Sequence, residues 1–106
     1  MNNHISIDDA KKSLAKSGNQ FEVLFNHRTL SVELYKPNNV DNQSPHTRDE
    51  IYVIASGTGQ FNLAGEITLV NHGDFIFVPA KAVHHFFDFT PDFSTWVFFY
   101  GPEGGE

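Results

Sequence analysis

Residues 44–59, SPHTRDEIYVIASGTG, and residues 73–84, GDFIFVPAKAVH, decide the reading of this chain, because two strand-and-turn segments each deliver metal-type ligands. His46 and Glu50 come from the first segment and His84 from the second. Two imidazoles and a carboxylate bind a divalent transition metal on one face and leave the other face open. On a straight strand a side chain four residues on lies about 13 Å away, too far for one ion to bind both. The chain must therefore bend over Thr47, Arg48 and Asp49. Pro45 has no N–H to give to a ladder and marks a strand end, so His46 is expected to close one strand and Glu50 to open the next.

After Glu50, Tyr52 and Ile54 share its face while Ile51 and Val53 take the other, a strand apolar on both sides. Period two from His84 places Phe86 and Asp88 with it, and His85, Phe87 and Phe89 opposite. Only one of the adjacent histidines can point inward, and His85 rivals His84 as Asp49 rivals Glu50. Ser44, extended because Pro45 follows it, is expected on the face of His46. Its hydroxyl is a poor ligand for a divalent ion and should sit beside the open side. His4, His27 and His72 lie in a polar terminus and in turns and are assigned to surface or hydrogen-bonded roles.

Order and spacing resemble the two motifs of the cupin superfamily. The first runs from a Gly through a His-x-His pair and a Glu to a closing Gly; the second runs from a Gly through Pro-x-Gly and a His to an Asn. Here six residues separate Glu50 from Gly57 and three separate His46 from Glu50. His46 takes the place of the second histidine, and Gly73, Pro79 and His84 fall at second-motif positions. The chain departs from the pattern at Ser44, where the first histidine would stand, at the missing first Gly, at Lys81 for Gly, and at Asp88 for Asn. The resemblance selects His84 over His85 and implies an all-β fold, a cupin-type double-stranded β-helix or jelly-roll barrel. It also implies a divalent transition metal (iron, manganese, nickel or zinc) on His46, Glu50 and His84, with Ser44, Tyr52, Phe86 and Asp88 lining a pocket for a small organic ligand or substrate. Asp88 is expected to orient His84 or to offer a polar group to the cavity. The open positions suit oxygenase- or isomerase-like chemistry, or a non-catalytic ligand-binding or sensing module; fold alone assigns no reaction.

The remaining sequence is consistent with one cupin domain over residues 1–106, comprising a helical segment (1–20), the barrel (21–100) and a flexible Gly-rich tail (101–106). Ser6 to Asp9 has a capping pattern, Ile7, Ala10 and Leu14 recur at helical spacing, and Gly18 closes the helix. Eight strands follow: 21–25, 30–35, 50–54, 59–63, 67–70, 75–78, 84–89 and 96–100. Zero Cys excludes disulfides and thiolate ligands, and a net charge of −6 with scattered cations argues against nucleic acid or an anionic membrane. With neither a signal-like start nor a long apolar run, a cytoplasmic location is expected. Eight of the eleven Phe lie between positions 75 and 99, and Phe98-Phe99-Tyr100 is aromatic on both faces. One such face is expected to meet a partner chain in a homodimer.

Overall fold

The computed structural model describes residues 3–106. Helix α1 (Ile7–Ser17) starts where Ser6 accepts a hydrogen bond from Asp9 N at 3.0 Å and stops at Gly18, whose φ of 72° ends the helical path. Eight strands follow, all expected from the sequence: β1 (Phe21–His27), β2 (Leu30–Tyr35), β3 (Asp49–Ser56), β4 (Thr58–Leu63), β5 (Glu66–Asn71), β6 (Phe75–Val78), β7 (His84–Phe87) and β8 (Ser94–Tyr100). They form a five-stranded sheet, β1-β2-β8-β3-β6, and a three-stranded sheet, β5-β4-β7, with every pair antiparallel. This is the double-stranded β-helix that the resemblance implied.

Alternation explains the two layers of packing. Tyr35, Tyr52, Ile54, Val78 and Val97 face inward from the large sheet and meet Phe61, Val70 and Phe86 of the small one, with Phe93 closing the end. On the outside of the large sheet, Leu34 and Trp96 meet Ala10 and Leu14 of α1. The helix thus covers part of a face that would otherwise be wet and apolar. Beyond it the outer face runs from Phe98 through Ile51 to Phe77, partners across the ladders, and ends with Phe75 and Phe77 exposed at 65% and 44%.

One expectation about an irregular segment is corrected. Residues 41–46 form no strand, so His46 does not close one. The Gly-rich tail makes two backbone contacts with the start of β3 and the loop before it: Gly104 N donates to the Thr47 carbonyl at 2.6 Å and Glu106 N to Asp49 Oδ2 at 3.0 Å. Ala80 N takes the other oxygen of Asp49 at 2.9 Å. Asp49 is thereby committed to the backbone, which leaves the inward role to Glu50.

Candidate metal centre

Glu50 opens the inner face of β3 and His84 the inner face of β7, so each sheet contributes one ligand, and His46 reaches them from the preceding loop. The ligand atoms of the three residues all lie within 4.8 Å of one another. His84 Nε2 stands 3.2 Å from Glu50 Oε1 and His46 Nε2 stands 4.0 Å from it. Glu50 is 0% exposed, and while His84 Nε2 carries no proton neither carboxylate oxygen has a hydrogen-bond donor among the described residues. A buried carboxylate with no donor costs several kcal/mol unless a cation satisfies it. The donor set therefore fits a divalent metal.

The histidines are prepared differently. The Ala82 carbonyl sits 2.9 Å from His84 Nδ1 and can only accept, so Nδ1 carries the proton and Nε2 presents its lone pair to the site. Burial pulls the pKa of His84 down, but the hydrogen bond to Glu50, the Ala82 carbonyl and the Glu50 charge outweigh it, and the net direction is up from 6.5. His46 is half-buried against the edge of Phe99, 4.9 Å between ring centroids. Its desolvation prevails over the Glu50 charge and moves its pKa down.

Tyr52, fully buried two residues beyond Glu50, places its hydroxyl 3.1 Å from His84 Nε2 and donates to Gln43 Oε1 at 3.2 Å. Burial and the Glu50 charge hold that hydroxyl firmly protonated. Phe86 lies under Tyr52 at 4.9 Å between centroids and belongs to the core more than to the cavity wall.

The structure places two of the expected pocket residues elsewhere. Asp88 is exposed and faces Gln60 at 3.4 Å, because its φ of 48° turns the chain out of β7 and breaks the period-two register. The Ala82 carbonyl holds the position next to His84 that Asp88 was expected to fill. Ser44 is exposed as well, since alternation does not apply outside a strand. His85 points away from the cluster, its ring 5.7 Å from Phe87. Left-handed backbone also explains two departures from the family pattern: Lys81 (φ 71°) and Asp88 occupy positions where Gly and Asn are the residues that take such a conformation most readily.

Three residues near the site were missed in the sequence. Gln43 faces His46 with Oε1 at 3.0 Å from its Nε2. Asp41 is buried and accepts from Tyr35 Oη, Gln43 N, Gln43 Nε2 and Phe86 N. Glu33 lines a cavity of about 260 Å³ with Phe21, Tyr35, Gln43, His46 and Phe99, and burial followed by the Glu50 charge raises its pKa. Glu33 was detectable, being a carboxylate at an inward position in phase with Tyr35. The two largest of the other hollows, about 520 and 640 Å³, lie under α1 and beside Asn19 and Thr90, and neither touches the cluster.

An eight-stranded double-stranded β-helix with a His/Glu cluster between its sheets defines a cupin-type barrel. The cupin domain family model matches residues 31–91, and the chain belongs to that family. An uncharacterized protein of Streptomyces coelicolor is 30% identical over 99 residues, covering 92% of this chain and 94% of its own. Among solved structures, KdgF from Halomonas sp. is 20% identical with a TM-score of 0.66 over 77% of this chain and 78% of that one. The DMSP lyase DddQ from Ruegeria pomeroyi is 21% identical with a TM-score of 0.65 over 82% of this chain and 50% of that one. At these identities the two structures bear on the fold alone.

Proposed function

We propose that the protein is a metal-dependent cupin that holds a divalent transition metal (iron, manganese, nickel or zinc) on His46, Glu50 and His84 and receives a small organic ligand through the cavity beside His46. The observation that carries this reading is the buried, unpartnered carboxylate of Glu50 between two imidazoles. A metal there supplies a Lewis acid that polarises an oxygen of the ligand. The protein's residues do the rest. Ala82 fixes the His84 tautomer, Tyr52 keeps a proton at its hydroxyl, Phe99 packs its edge against His46, and Glu33 offers a carboxyl to a polar group of the ligand. Two neutral imidazoles and one carboxylate leave a dication with net positive charge, which favours an anionic oxygen on the ligand.

The test is elemental analysis of untagged protein purified without chelator, followed by Co²⁺ titration from pH 8 to pH 5. One equivalent of metal is expected. Protonation competes with the ion at His84, whose pKa lies above 6.5. Affinity is therefore full at high pH and falls as pH drops through that pKa, by about tenfold per unit for one displaced proton. A metal-free protein that takes up no Co²⁺ would exclude the reading. Tight binding of an organic ligand to metal-loaded protein without turnover would identify a sensing module instead of an enzyme.

The outer face of the large sheet supports a second element of the proposal, a homodimer. Phe75 and Phe77 continue the apolar surface of Ile51, Val53 and Phe98, and a contiguous patch of this kind is rarely left in water. Sedimentation at micromolar concentration is expected to show a dimer. Phe77→Asp should weaken it by about 2 kcal/mol or more, roughly thirtyfold in dissociation constant. A wild-type protein that sediments only as monomer would remove this element.

A further inference from the structure

We propose that Gln43 supplies a fourth ligand to the metal centre through its side-chain carbonyl oxygen, an inference that rests on the metal reading above. Gln43 Oε1 lies 3.0 Å from His46 Nε2 and 3.2 Å from Tyr52 Oη. Around an ion with bonds of about 2.1 Å, neighbouring donors at right angles stand about 3.0 Å apart. From Glu50 Oε1 the donor atoms close a ring through His84 Nε2 (3.2 Å), Tyr52 Oη (3.1 Å), Gln43 Oε1 (3.2 Å) and His46 Nε2 (3.0 Å), with 4.0 Å for the return. Gln43 Oε1 therefore stands at the spacing from His46 Nε2 that two donors to one ion would keep.

The direction of the carboxamide is decided by chemistry. Asp41 Oδ2 is an acceptor and sits 2.9 Å from Gln43 Nε2, so the amino group is turned to Asp41 and the oxygen to the site. The reversed amide would set an oxygen against a carboxylate and an NH₂ against the ligand face of His46. Asp41 cannot readily move, because Tyr35 Oη at 2.7 Å and Phe86 N at 2.8 Å hold it from the barrel wall. The carbonyl is thus aimed before any ion arrives, and little side-chain entropy remains to be lost on binding.

The experiment combines Co²⁺ titration of wild type and Gln43→Ala with the ¹³Cδ resonance of Gln43 in wild type on adding Zn²⁺. Gln43→Ala is expected to weaken Co²⁺ binding roughly tenfold to a hundredfold and to alter the intensity of the Co²⁺ d–d bands, which report coordination number. Carbonyl ligation should move ¹³Cδ downfield, whereas mere loss of the hydrogen bond from His46 moves it upfield. Wild-type affinity and spectrum in Gln43→Ala, or an upfield shift, would overturn the proposal and leave the three-residue centre standing. Failure of the wild-type protein to bind Co²⁺ would overturn both. Should Gln43→Ala not fold, the sign of the wild-type shift decides.

Discussion

Replacing Glu50 by glutamine is expected to weaken binding of Co²⁺ or Zn²⁺ by about three orders of magnitude while leaving the metal-free protein at least as stable as wild type. The two effects have one cause. Glu50 is the anionic member of the ligand set, and losing the partner of a buried charge costs about 3–5 kcal/mol. In the absence of the ion and above the pKa of His84, however, its oxygens have no donor, so the wild-type fold there carries a desolvation penalty that the neutral amide lessens. A thermal melt in chelator and a metal titration separate the terms. If the chelated Glu50→Gln protein melted several degrees below wild type, Glu50 would be a structural residue and the centre would lose its main support.

Gly57→Ala is expected to destabilise the barrel by about 2–5 kcal/mol, the sum of a left-handed penalty and overpacking, and to lower Tm by about 10 °C or more. Gly57 has φ of 77° in the turn between β3 and β4. A Cβ there would stand 2.5 Å from Thr90 Oγ1 and 2.7 Å from Phe93 Cα, and the second of these is backbone that cannot rotate away. Gly73 is the control. Its φ of 88° carries the same conformational demand, but nothing lies within 4 Å of the added carbon, so Gly73→Ala should cost only about 1–2 kcal/mol. Equal losses at the two sites would show that contact with the β7–β8 turn is not what requires glycine at position 57.

The strands were legible because hydrophobic alternation and turn residues act locally, and the same holds for α1, where Ser6 and Gly18 mark both ends. His46, Glu50 and His84 were recognisable from spacing within the family pattern. Asp88 and Ser44 were misplaced for a shared reason: period two was carried past the point where the backbone stops being a strand. At Asp88 one left-handed residue turns the chain outward, and Phe89 swings into the core instead. Gln43 escaped notice because its orientation depends on Asp41, and Asp41 is fixed by Phe86, 45 residues away. The contact of Glu106 N with Asp49, 57 residues earlier, was equally invisible in the composition of the tail.

Glu50 belongs to the five-stranded sheet and His84 to the three-stranded one, and no ladder among the described residues joins the two. Occupancy by the proposed ion would therefore be thermodynamically linked to the spacing of the sheets. An ion that binds best at one separation narrows the breathing of the barrel toward that separation. Reciprocity makes the coupling run both ways: a ligand that wedges the sheets apart must loosen the ion by the same factor by which the ion opposes the ligand, and one that fits the clamped spacing must tighten it.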